Sequence, residues 1–179
     1  MRIDSIAEKN YQQVLSMIKK LLEVGVKKCP LFVVEKSELP EIKPELKGKP
    51  HILKYVRGFY NRKGDTIYIV SGYEEDLQTI LHETLHSNSC LHSNNSPYWI
   101  HEGLTEALTE YILEEENMGY DTNLLISEEV NFWRRMLQTH KIEIIRAYFN
   151  PNLEKCYSTL EKATGISGLK NIDFQEISH

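Results

Sequence analysis

Between residues 4 and 24, apolar side chains recur at Ile6, Val14, Leu15, Ile18, Leu21 and Leu22, the spacing of one helical face. Gly25 is placed to end that helix. Residues 31–36 form a short β-rich run. The segment after it holds Pro40, Pro44, Gly48 and Pro50, which exclude a regular helix or central strand and predict a surface connection. Residues 52–60 and 66–70 read as two paired strands joined by a hairpin loop containing Asn61 and Gly64. Ser71 and Glu74 have capping-box spacing, and Leu77, Ile80, Leu81, Thr84 and Leu85 continue with helical periodicity through His86. After a Ser- and Asn-rich loop, Ser96-Pro97 predicts the N-cap and first position of a helix reaching about Met118, with Gly119 as its stop. Residues 123–149 and 152–164 give two further helices, separated by Asn150-Pro151, and a weakly patterned tail follows.

These elements predict an α+β fold: a small twisted β-sheet with an N-terminal backing helix, then the helix of residues 77–86, a second acidic helix and a helical C-terminal part. With 179 residues, one core is expected, and we read residues 1–166 as a single domain and 167–179 as a C-terminal tail. Hydrophobic residues make up 41% and charged residues 26%, a globular composition. Apolar runs are too short to cross a bilayer, and Met1-Arg2-Ile3-Asp4 leads into the first helix without a secretory signal, so the expected location is the cytoplasm. Cys29, Cys90 and Cys156 are too dispersed for a disulfide framework or a CxxC motif. A net charge of −5 without a basic cluster gives no footprint for nucleic acid.

His82-Glu83-Thr84-Leu85-His86 reads HExxH on the first acidic helix. At i and i+4 the two imidazoles project from one face and can bind one tetrahedral zinc ion. Glu83 lies beside them, where its carboxylate can take a proton from water on the open metal position and pass it to a leaving amine. The plainer reading of so short a pattern is a solvated face with two unconnected histidines. The strand, the capped helix and the second acidic helix around it favour the metal.

A catalytic zinc needs a third protein ligand and an open fourth position. Glu102, within Trp99-Ile100-His101-Glu102-Gly103, is the first candidate. Together with HExxH this stretch resembles the gluzincin peptidases, including the thermolysin-like and aminopeptidase families, whose Trp-Leu-Asn-Glu-Gly it is similar to. The resemblance covers residues 66–113 and implies a zinc peptidase with His82, His86 and Glu102 as ligands. Glu106, one turn on, is too close to share an open metal and is expected to accept the free ring N–H of a zinc histidine, a role the resemblance also implies. His92 is the rival ligand, at the spacing of the metzincin pattern HExxHxxGxxH. Ser89 stands at the glycine position of that pattern, and Met118 and Met136 fall in predicted helices instead of a Met-turn. His101 is expected to point to another side of its helix.

The expected reaction is hydrolysis of a peptide bond in a peptide or protein substrate by zinc-bound water activated by Glu83, with one zinc per chain. The substrate is expected to lie extended along an edge strand, for which residues 52–59 are the candidate. With ten tyrosines no oxyanion donor is singled out: Tyr98 and Tyr111 on the glutamate helix and Tyr157 on a later one read better as core or boundary aromatics. In its small size the chain resembles the minigluzincins, which implies a tail that blocks the cleft, with Asp173, Glu176 and His179 able to approach the metal; the plainer reading of the tail is a frayed terminus. The alternative class is a degenerate scaffold that keeps zinc for stability or partner binding.

Overall fold

The computed structural model describes residues 1–92, 96–121 and 127–177. Its elements run α1 (Ser5–Leu22), β1 (Leu31–Val34), α2 (Leu39–Ile42), α3 (Pro50–Leu53), β2 (Gly58–Asn61), β3 (Thr66–Val70), α4 (Leu77–Ser87), α5 (Tyr98–Glu115), α6 (Ser127–Tyr148) and α7 (Leu153–Thr164). The fold is α+β. Its sheet has the order β1-β3-β2, with β1 parallel and β2 antiparallel to β3. Among the described residues no helix is long and apolar enough to cross a membrane.

The hairpin forms where its turn residues stand: Gly58 pairs with Ile69 and Asn61 with Thr66. The Asn61 side chain accepts from the backbone of Lys63 and Gly64, and Asp65, not Gly64, takes the left-handed conformation at φ 48°. The first of the paired strands is shorter than expected, because residues 50–53 coil into α3. Similarly, the proline-rich stretch is more than a surface connection. Pro40, Pro44 and Pro50 each start a single helical turn, the position where a missing N–H and a fixed φ are harmless. These turns fold Leu39 and Leu46 onto Val34, Phe59 and Val70, closing one face of the sheet.

The other face carries the main core. Along α1 the buried stripe is Ala7, Tyr11, Val14 and Ile18, while Ile6 is exposed. Glu23, at φ 53°, ends the helix two residues before Gly25. The Tyr11 hydroxyl accepts from the buried Cys29 N–H at 2.8 Å, and α1 packs against α4. Helix α4 begins at Leu77: Asp76 caps it by accepting from Thr79 N and Thr79 Oγ1. The Ser71 box does not form, because Glu74 turns back to accept from Gly72 N. Helix α5 starts one residue later than its sequence signal, with Pro97 as cap, and ends at Glu115, where Asn117 takes a positive φ. Asn152 caps α7 and Gly165 closes it in the left-handed conformation. Helix α6 holds a non-helical residue at His140, and the expected start of that helix at 123 lies outside the described residues.

α5 lies between α4 and α6 and is buried on most sides, including Leu104, Ala107, Leu108, Ile112 and Leu113. Its N-terminal turn stacks Trp99 on Trp133 at 5.7 Å, and Trp133 Nε1 donates to the Trp99 carbonyl. The tail is docked here: Leu169 and Phe174 are buried in the same core, and Trp99 Nε1 donates to the Ile172 carbonyl. The three cysteines are free thiols.

Two glycines set how closely the helices approach. At Gly103 a Cβ would stand 3.0 Å from Glu129 Cβ and 3.2 Å from the Trp133 ring, so α6 packs directly on that turn of α5. At Gly58 it would stand 2.8 Å from the Thr79 methyl and 3.0 Å from the Tyr68 carbonyl oxygen. Gly58 thus lets the first turn of α4 rest on β2. Gly58→Ala is expected to destabilise the protein by roughly 1–3 kcal/mol through this overpacking. Urea denaturation checks it, and an unchanged midpoint would remove Gly58 from this role.

Candidate metal centre

His82 and His86 sit one turn apart on α4, where helical periodicity places both rings toward α5. Their Nε2 atoms lie 2.9 Å apart. Glu102 Oε2, from α5, stands 3.2 Å from His82 Nε2 and 3.3 Å from His86 Nε2. Ligands of a tetrahedral zinc at about 2.0–2.1 Å are separated by about 3.3 Å, so this triangle has the size of three corners of such a shell.

Behind the triangle, the other ring nitrogens are engaged. His82 Nδ1–H donates to Glu106 Oε2 at 2.8 Å, and Gln78 Nε2 donates to Glu106 Oε1 at 3.2 Å, holding that carboxylate in place. His86 Nδ1 faces Thr105 Oγ1 at 3.4 Å. The Thr105 hydroxyl donates to the His101 carbonyl, and its oxygen meets the buried Tyr148 hydroxyl at 2.8 Å. With its one proton so used, Thr105 can only accept from Tyr148 and from His86 Nδ1–H. In the neutral form both histidines are thereby set in the tautomer that leaves an Nε2 lone pair at the centre. The Thr105 and Tyr148 partners were not anticipated. Only the position of Thr105, one turn from Glu102 on a largely apolar helix, hinted at them.

No family model, no curated protein and no solved structure matches this chain. The chemistry of the centre is therefore read from its own atoms.

The structure also brings together residues that the sequence left apart. His101, expected on another side of α5, stands at the centre with Nδ1 3.2 Å from Glu102 Oε1. Its ring lies 6.1 Å from that of His86 and 5.9 Å from that of His92, so the Nδ1 side of the imidazole reaches the centre from the first turn of α5. The His92 ring is 4.7 Å from His86 and 5.4 Å from Tyr60 at the end of β2. One ligand atom each from His86, His92, His101 and Glu102 lies within 4.8 Å of the others. Both candidates for the third ligand are thus present, but it is Glu102 that closes the triangle with both HExxH imidazoles. Glu83 is partly buried beside His82, close enough for its charge to favour the protonated His82 ring.

Of the tyrosines considered, Tyr98 is beside the centre, its ring 5.5 Å from His101. The Tyr111 hydroxyl instead accepts from Lys141, and Tyr157 is buried in the core. Within the tail, Asp173 and Glu176 cap one another's turn, and His179 lies outside the described residues. Only residues 58 and 59 of the candidate substrate strand are extended; the strand itself, β2, runs to Asn61 at the edge of the sheet.

Charge follows from these contacts. Burial opposes ionisation of Glu102, but His86, His101 and His82 outweigh it and hold its carboxyl far below the usual range. Burial likewise opposes protonation of His82, and Glu102 and Glu106 overcome it, raising its pKa well above the ordinary value. His92 goes the other way: burial, then electrostatic repulsion from the His86 and His101 rings, lower it to about 3. It is neutral at physiological pH.

Glu106 continues into Glu110, fully buried one turn further along α5. Arg134 Nε is 3.1 Å from Glu110 Oε2, yet among the described residues neither carboxylate oxygen has an aligned hydrogen-bond donor. Burial pushes the Glu110 carboxyl up, Arg134 opposes this, and Glu106 and Glu114 add to it, giving about 7. Its unfolded value is about 4.3. A raised carboxyl favours the folded state while protonated, so its stabilising contribution is lost as pH rises from about 4.3 through about 7. Glu110→Gln should flatten the fall in stability across that window, measured by urea denaturation at each pH; parallel profiles for variant and parent would contradict it. Glu106→Ala should weaken zinc binding roughly 10–100-fold by freeing the His82 ring, as read by competition with a chromophoric chelator. Undiminished affinity would show that Glu106 does not orient His82.

Proposed function

We propose that this protein is a zinc-dependent peptidase in which His82, His86 and Glu102 hold the metal and Glu83 is the general base. The observation that supports it most is the triangle of two Nε2 atoms and Glu102 Oε2, with Glu106 and Thr105 directing the lone pairs inward. Two imidazoles and one carboxylate are a donor set suited to zinc. Three protein donors also leave a position for solvent, as hydrolysis requires. When bound, the ion would supply Lewis acidity, lowering the pKa of water from about 15.7 to about 7 and polarising a carbonyl.

The chain's own residues supply the rest. Glu83 accepts the proton of the attacking water and returns it to the amine nitrogen as the peptide bond breaks. A purely structural zinc has no use for such a base. Glu106 and Thr105 keep the two imidazoles from rotating, so the metal site is set before substrate arrives. The free edge of β2 offers backbone groups to an extended peptide, which would add as a further strand. Tyr60, on that strand, places this edge next to His92 and hence beside the centre.

The test is a comparison of the full chain with Glu83→Gln and Glu102→Ala. The parent should take up zinc, measured by elemental analysis, and cleave unfolded protein substrates. Glu83→Gln should retain the metal and slow cleavage roughly 100- to 10,000-fold. Glu102→Ala should lose the tightly held zinc. A Glu83→Gln variant as active as the parent would overturn the proposed mechanism.

A further inference from the structure

The three-ligand site leaves two side chains at the centre without a role. Among the described residues, His92 Nδ1 and His101 Nδ1 are both buried and make no aligned hydrogen bond. A buried polar atom left unpaired carries a desolvation cost, and unpaired ring nitrogens at a functional centre call for a ligand. His101 Nδ1 comes within 3.2 Å of Glu102 Oε1 without the alignment of a hydrogen bond. That separation matches the edges of the first triangle. Short contact with poor alignment is what two ligands of one ion show, since each directs its lone pair at the ion and not at the other ligand.

Glu102 divides its two oxygens between these groups. Oε2 faces His82 and His86, whereas Oε1 faces His101. The His92 and His101 rings are 5.9 Å apart and nearly perpendicular, at 82°.

We propose that the centre holds a second divalent ion beside the first, bound by His92 Nδ1, His101 Nδ1 and Glu102 Oε1, with the Glu102 carboxylate bridging the two. A bridging carboxylate suits the spacing of about 3.5–4 Å found between ions in two-metal hydrolases. Two imidazoles with one carboxylate favour zinc, cobalt or another transition ion over magnesium or calcium, which take oxygen ligands. The second position is on the side of Tyr60 and β2, where an extended peptide would run. An ion there would stabilise negative charge developing on the substrate carbonyl oxygen, from the side of the centre opposite His82. This inference rests on the peptidase reading for the first ion only.

Full-length protein stripped with chelator is titrated with Zn2+ and, separately, with Co2+, and ions per chain are counted by native mass spectrometry and elemental analysis. The parent is expected to bind two ions, and His92→Ala and His101→Ala to bind one while retaining the parent's circular dichroism. Cobalt-loaded parent should show magnetic coupling between ions by electron paramagnetic resonance. Saturation of the parent at one ion overturns the proposal and leaves the peptidase reading standing, the two imidazoles then completing a single shell. Binding of no ion overturns both. Because the parent alone decides between one and two, a variant that fails to fold does not spare the proposal.

Discussion

Two imidazoles and a carboxylate from different helices can meet within 3.3 Å only if α4 and α5 are fixed in rotation and depth. The rest of the molecule serves that constraint. Gly58 lets α4 settle on the edge strand, Asp76 fixes where α4 begins, and α1 packs along it. On the far side, Gly103 admits α6 against the turn that carries Glu102, and the stacked pair Trp99 and Trp133 anchors that turn's start. Rotating α5 by one residue would replace Glu102 with a neighbour and leave two imidazoles without a counter-charge.

The same helix pays an electrostatic cost for its place. Glu102, Glu106 and Glu110 follow one another at one-turn intervals, and the latter two are buried. Each has a different compensation: imidazoles for Glu102, His82 and Gln78 for Glu106, and a poorly aligned Arg134 for Glu110. Compensation is best at Glu102, among the imidazoles, and weakest at Glu110, whose carboxyl is pushed up to about 7. Stability is therefore given up along a line that leads to the centre, as expected where a site's demands override the preferences of a core.

The partners behind the ligands matter for the same reason. A histidine ring can flip or change tautomer, and either would remove a lone pair from the centre. Glu106 prevents this for His82 by charge and by a 2.8 Å hydrogen bond. For His86 the restraint comes from a hydroxyl relay through Thr105 and Tyr148, which links α4, α5 and α6. The centre thus senses the packing of three helices at once, and the proposed chemistry needs that rigidity because a loosely held metal neither orients water nor polarises a carbonyl well.

Local features of the chain were decisive for HExxH, for the hairpin and for the cap of α7. Each depends on residues within a turn or two: i and i+4 share a helix face, Asn61 can close its own loop, and Asn152 can reach Lys155 N. Glu102 and Glu106 were legible as one face of a second acidic helix. What the sequence could not settle was how α5 is rotated between its neighbours. Periodicity alone therefore turns His101 away from the face of Glu102, whereas its Nδ1 stands at the centre. Nor could it show that Leu39 and Leu46 close the sheet, or that Asp76 and not Ser71 starts α4, because competing local signals were resolved by which one allowed burial. Periodicity fixes the direction of a side chain relative to its own helix; which of those directions becomes an interior is decided only when other elements pack against it.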